Sequence, residues 1–146
     1  MSDRRTVVAE TESERLLGEI GRLLMDDAEY PSEPTLLYAQ LDHNMVGESI
    51  FKELGNQILF RWPMNERLVY ALLELWEAQD GKEWWTELEY VLRAGTFEVA
   101  YFYPDEIDPN EDVVERREAA VRRHFGEKPI VYPPLPSDDE LAYFGL

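Results

Sequence analysis

Cysteine is absent from the 146 residues. No disulfide framework, thiolate catalysis or cysteine-based metal site is therefore open to the chain. Cations are scarce: 14 Lys and Arg stand against 31 Asp and Glu, a net charge of −17. Phosphate recognition needs clustered cations, so this balance argues against nucleic acid as a partner. It argues equally against an anionic membrane surface. Long apolar runs are missing too. The opening residues, MSDRRTVVAETESERL, hold no stretch suited to a signal peptide, and no segment reaches the ~20 apolar residues of a membrane span. A cytoplasmic protein is the expectation. The two histidines, His43 and His124, belong to no HxH or HExxH pattern, so no zinc site is expected. Gly47-Glu48-Ser49 fails as a nucleophile elbow, because Phe51 stands where a second glycine belongs. No phosphate-cradling glycine loop occurs. The sequence assigns no catalytic residue and no cofactor.

What remains is enough for one domain. The chain is 45% hydrophobic and 12% aromatic, and a chain of this size buries roughly 70% of its unfolded surface. Leu16, Leu17, Ile20, Leu23 and Leu24 recur at helical spacing and predict a helix from about Thr11 to Asp27. Gly18 and Gly21 weaken it by about 1 kcal/mol each if exposed, and would permit close packing against a sheet. Three strands follow, Leu36 to Asp42, Met45 to Glu53 and Gln57 to Trp62. Turns at His43-Asn44 and Gly55-Asn56 make them an antiparallel meander. Pro63 opens a second helix, running to about Gln79, with Met64, Leu68, Ala71, Leu72, Leu75 and Trp76 on one side and Gly81 as its stop. A hairpin comes next, from Trp85 to Leu92 and Phe97 to Tyr103 about an Arg93-Ala94-Gly95-Thr96 turn. Adjacent Trp84 and Trp85 cannot both face inward, so one covers an edge of the core or is exposed.

The stretch FEVAYFYPDEIDPNEDVVERREAAVRRHF, Phe97 to Phe125, carries the clearest local signals. Phe97, Val99, Tyr101 and Tyr103 alternate with Glu98, Ala100 and Phe102, the period of a strand with a buried face. Asp108 as N-cap, Pro109 at the first helical position and Glu111 completing a capping box predict a helix from Pro109 to Gly126. Its core stripe is Val113, Val114, Arg117, Ala120, Val121, His124 and Phe125. Between strand and helix lies an acidic turn. Asp108-x-Asn110-x-Asp112 matches the opening of a calcium loop, but Val113 replaces the required Gly and Ala119 the closing Glu. Helix capping accounts for Asp108 and Glu111 without an ion, so no metal is assigned.

From Pro129 the chain is proline-rich and extended, and it ends in an apolar cluster of Leu141, Tyr143, Phe144 and Leu146. A tail docked on the body is expected, with docking onto another subunit as the alternative. The organisation is therefore an arm over 1–10, one domain over 11–128 and a tail over 129–146. The fold class is α+β, in the order α-βββ-α-ββ-α. About five antiparallel strands and three helices are expected, with no parallel crossover.

The FEVAYFYPDE strand, Glu115-Arg116-Arg117 in the helix, Phe125-Gly126 and Tyr132-Pro133 together resemble the YezG-type immunity proteins. The order of elements over Glu14 to Pro134 is similar to theirs, and the Pro-rich tail beyond Tyr132 departs from it. The resemblance implies a small non-enzymatic α+β antitoxin that binds a toxin domain, commonly a nuclease. It carries over no catalytic residue. Nuclease sites are basic, and an inhibitor that covers one gains on-rate from a dense negative surface. The candidate partner-binding residues are accordingly Tyr103, Asp105, Glu106, Asp108, Glu111 and Asp112. The alternative is a homodimeric structural or regulatory module with no toxin partner.

Overall fold

The run TLLYAQLD carries four consecutive apolar residues, Leu36 to Ala39, rather than one at every second position, as expected of a strand covered on both faces. In the computed structural model, which describes residues 11–31, 34–43, 45–63 and 65–133, this run is strand β1, Thr35–Asp42. It sits inside the sheet, antiparallel to β2 (Met45–Leu54) on one side and to β4 (Glu87–Arg93) on the other. Strand β3 (Gln57–Arg61) extends the meander, and β5 (Thr96–Phe102) pairs with β4. The centre of the protein is thus β1 and β4, not the Phe97 to Phe125 stretch that gives the strongest local signals.

The α+β class and the predicted order hold, with one addition. Ile130–Val131 forms a sixth strand, β6, parallel to β3. The sheet order is β5-β4-β1-β2-β3-β6, so the sheet is mixed and the expectation of no parallel crossover is corrected. Helix α3 (Val113–Phe125) carries the chain from one edge of the sheet to the other, which is what makes β6 parallel to its neighbour. The docked part of the tail is visible at this edge. Trp62 Nε1 donates to the Pro133 carbonyl at 3.4 Å, and the Tyr132 ring lies 5.5 Å from that of Phe60. The arm over 1–10, Asn44, Met64, and the tail from 134 on, including Leu141, Tyr143, Phe144 and Leu146, lie outside the described residues.

Helices α1 (Glu12–Met25) and α2 (Glu66–Glu77) cover one face of the sheet. Leu16, Ile20, Leu72 and Leu75 pack there on Leu37 and Leu88, each buried aliphatic side chain stabilising the fold by about 1.5–3 kcal/mol. Gly21 of α1 lies close against the sheet, where an added Cβ would fall 2.6 Å from Tyr90 Oη. The Tyr90 hydroxyl donates to the Leu17 carbonyl at 2.7 Å, directly over Gly21. Helix α2 begins at Glu66 rather than Pro63, because the Asn65 side chain accepts from the Arg67 N–H at 2.9 Å and caps it. It stops at Glu77, ahead of Gly81.

Among the described helices, α3 alone covers the opposite face, with Ala120, Val121 and Phe125 against Leu36, Phe51 and Val91. Arg117 lies flat in this layer, 5.9 Å from the rings of both Phe51 and Phe60. Val114, assigned to the core stripe, is instead 44% exposed. The hairpin turn is as expected. Arg93 and Thr96 pair across a two-residue loop, in which Ala94 (φ 50°) and Gly95 (φ 81°) are both left-handed. Trp85 is buried. Trp84 covers the core edge, its ring set against Trp76 at 4.8 Å.

Candidate functional site

The chain must pass from the sheet edge at β5 to the layer beneath the sheet where α3 lies. Residues 103–112 make that passage, and they hold all six candidate residues. Tyr103 closes the strand, half-buried against the α1–α2 side of the core. Its N–H donates to the Glu106 carboxylate at 3.0 Å, which closes a single 3-10 turn over Pro104–Glu106. Asp105 and Glu106 are exposed on that turn. Asp108 Oδ1 accepts from the Asn110 N–H at 2.9 Å, and its carbonyl accepts from the Glu111 N–H at 3.1 Å.

Asp108 therefore closes a local turn and is not the helix N-cap. That role falls to Asp112, whose Oδ1 accepts from the Glu115 N–H at 2.8 Å. The sequence offers two D-x-x-E boxes four residues apart, and the fold uses the second. The Asp108 and Asp112 carboxylates are thus engaged with backbone N–H groups. Among the described residues no cluster of His, Asp and Glu is placed to hold a metal ion.

Beneath the turn lies a polar network absent from the sequence reading. Glu87 and Glu89 of β4 point to the α3 side and are only 5% and 4% exposed. Arg116 grips Glu87 bidentately, with Nη2 to Oε2 at 2.6 Å and Nε to both oxygens at 3.1 Å. Tyr38 of β1 donates its hydroxyl to the same carboxylate. Burial, with the Glu87 charge added, raises the Tyr38 phenol well above its usual range, and the pairing with Glu87 raises the Arg116 guanidinium further still. Arg116 also donates to the Glu111 carbonyl, which ties the turn to the sheet. Two turns further along, Arg123 donates to Glu89, and His124 Nε2 lies 2.8 Å from its other oxygen. A shallow pocket of about 200 Å³ opens between network and turn, lined by Tyr38, Glu87, Glu106, Asp108, Glu111 and Arg116 among others.

The signal for this network was in the spacing. Residues 87 and 89 share one face of a strand, and residues 116 and 123, two turns apart, share one face of a helix. Charged residues in strands read as solvent-facing, which hid the match.

A second cavity, of about 540 Å³, lies between the end of α1 and β2–β3. Three of its charged groups, Arg61, Asp27 and Lys52, are engaged internally. Arg61 holds Asp27 bidentately at 2.8 and 2.9 Å, and Lys52 donates to the Leu24 carbonyl at 3.0 Å.

The charges of the turn are different. From Ala94 to Glu115 the chain has seven carboxylates and no Lys or Arg. Glu87, Glu89, Asp27 and Glu53, buried or half-buried carboxylates elsewhere, are each matched by a cation. Among the described residues no ion pair involves Asp105, Glu106, Asp108, Glu111 or Asp112. The arrangement is a fixed, solvent-facing negative surface with a half-buried tyrosine at its rim. No helix among the described residues is long and apolar enough to cross a membrane. No protein-family model matches the chain, and no curated protein matches it. The likeness to YezG-type immunity proteins rests on sequence motifs alone.

Proposed function

We propose that this protein is a non-enzymatic binding module of the immunity type, which holds a basic protein domain against the turn over 103–112. The observation that carries this reading is the concentration of unpaired carboxylates there, on a backbone held by Arg116. A cationic surface that docks on the turn gains attraction without breaking any ion pair of the fold. It is also steered toward the turn during diffusion. The resemblance seen in the sequence supplies the partner class, a toxin domain whose phosphate-binding site is basic.

The test begins with the tagged protein recovered from its native cells at low salt and eluted with a salt gradient. A basic protein released in stoichiometric amount is the expected result. Asp105→Lys combined with Glu106→Gln and Asp108→Asn then removes local negative charge and retains an acceptor for the N–H groups of Tyr103 and Asn110. Association with the recovered partner should slow by about tenfold or more at low salt, with a smaller change in dissociation. An unchanged association rate and affinity would reduce the turn to a connection between β5 and α3. Elution of no basic protein, even with neighbouring secreted proteins expressed, would remove the immunity reading.

A further inference from the structure

The two edges of the sheet are treated differently. At one, β6 pairs with Ile58 and Leu59 of β3, and Trp62 bonds the Pro133 carbonyl beyond it. At the other, no described strand pairs with the outer side of β5. Its sequence, TFEVAYF, is β-branched and aromatic and contains no proline and no lysine. These are the devices by which proteins usually guard an edge against pairing, and β5 carries only the single charge of Glu98.

The backbone groups on this edge follow from the hairpin. A two-residue loop is closed by a pair that exchanges both hydrogen bonds, here Arg93 and Thr96. Hydrogen bonding then alternates, so Thr96, Glu98, Ala100 and Phe102 bond inward to β4. Phe97, Val99 and Tyr101 direct their N–H and C=O groups outward. Phe97 is itself 40% exposed, and Glu98 and Ala100, opposite Val91 and Glu89 on the α3 side of the sheet, are exposed as well. The strand runs directly into the acidic turn.

We infer that the outer edge of β5 takes up one extended basic segment of the partner protein, which adds to the sheet as a seventh strand. This inference rests on the proposed role of the turn and specifies how the partner is held. Main-chain pairing to Phe97, Val99 and Tyr101 supplies alignment, and Glu98, Asp105 and Glu106 select for Lys and Arg on the incoming strand. Charge decides against a second copy of this chain at the same edge. Each copy carries −17, and pairing two β5 strands would bring their acidic turns into one assembly.

The test uses the full-length protein and two synthetic peptides of equal length and charge. One alternates Lys with Val. The other carries the same lysines but is interrupted by prolines, so it cannot pair as a strand. Backbone amide exchange is followed by NMR at low salt. The alternating peptide should slow exchange at Phe97, Val99 and Tyr101 and bind at least about tenfold more tightly than the interrupted one. Val99→Pro removes an outward N–H and leaves the bonds to β4 in place. It should abolish that protection while the melting temperature and the binding of the interrupted peptide hold. Equal binding of both peptides without protection of β5 would overturn strand addition and leave the acidic turn as the partner surface. Binding of neither would overturn both readings. Slow exchange of the three outward amides in the protein alone would show the edge already occupied. If it varied with concentration the occupant would be a second copy, and if not, a segment of this chain; either would refute the inference.

Discussion

Gly18 and Gly21 lie three residues apart in α1, and replacing each with alanine should move stability in opposite directions. In both cases the helix gains about 1 kcal/mol from losing glycine's freedom in the unfolded chain. At Gly18 the new methyl meets only Arg22 Nη1, at 3.6 Å, an ordinary contact with a flexible side chain. At Gly21 it falls 2.6 Å from Tyr90 Oη, roughly 0.8 Å inside the 3.4 Å where ordinary contact begins. Tyr90 has little room to retreat. It is 0% exposed, stacked on Phe97 at 5.1 Å, and bonded to the Leu17 carbonyl. Relieving the clash means overpacking, at about 1–3 kcal/mol, and weakening that hydrogen bond, at about 1 kcal/mol more. Gly21→Ala should therefore lose a net ~1–3 kcal/mol, while Gly18→Ala gains up to about 1 kcal/mol. Urea melts read both, and for a chain of this length each kcal/mol shifts the thermal midpoint by about 2–4 °C. Tyr90→Phe removes the clashing atom. In the double mutant the alanine should cost less than in the wild type by at least about 1 kcal/mol, a coupling that a double-mutant cycle isolates. If Gly21→Ala stabilises as Gly18→Ala does, or if the cycle shows no coupling, the close approach of α1 to β4 is wrong.

Arg116→Ala leaves the Glu87 carboxylate in a buried site with only the Tyr38 hydroxyl. It should cost about 3–5 kcal/mol in a urea melt, and adding Glu87→Gln should recover a large part of that loss. A loss under about 1 kcal/mol would mean that the pair is hydrated and does not hold the turn. Glu48 on β2 has Oε2 buried without a partner, and burial pushes its carboxyl up to about 7. The folded protein then keeps a proton that the unfolded chain releases near 4.5, so stability falls as pH rises between these values. Glu48→Gln should change little near pH 4 and add on the order of 2 kcal/mol at pH 8; an equal effect at both pH values would show that no titration is involved.

The meander, the three helices and the Ala94-Gly95 turn were legible because each has a local cause, in apolar period or turn chemistry. What escaped the sequence has tertiary causes. Ile130–Val131 is too short to show a period, and it becomes a strand only because β3 offers an edge. Asp108 and Asp112 both open D-x-x-E boxes, and nothing local ranks them. The ties between Arg116, Glu87 and the Glu111 carbonyl exist only in the fold. The alternation of β5 reads as one buried face. A period of two is the same in an edge strand and an interior one, and it says nothing about which strand neighbours which. The six candidate residues were adjacent in sequence, so their proximity was assured. Arg116, which ties the turn through the Glu111 carbonyl, is itself held by Glu87, and Glu87 and its partner Tyr38 come from distant strands.

With 14 cations for 31 carboxylates, most acids of this chain cannot be paired, and the fold does not distribute the shortage evenly. The buried carboxylates Glu87 and Glu89 and the half-buried Asp27 and Glu53 receive arginine, histidine or lysine, since an unpaired buried charge costs several kcal/mol, and Glu48, which receives none, takes up a proton instead. The excess accumulates where water solvates it, most densely between β5 and α3. Like charges crowded there repel one another and weaken the folded state slightly. Selection for stability alone would scatter them or insert a lysine. The variant Asp105→Lys with Glu106→Gln and Asp108→Asn separates the two demands. If the turn serves a basic partner, this protein should melt slightly higher than the wild type while associating more slowly, the trade-off expected where function keeps a destabilising feature. A variant that melts lower would mean that the carboxylates hold the turn together, and their density would need no partner to explain it.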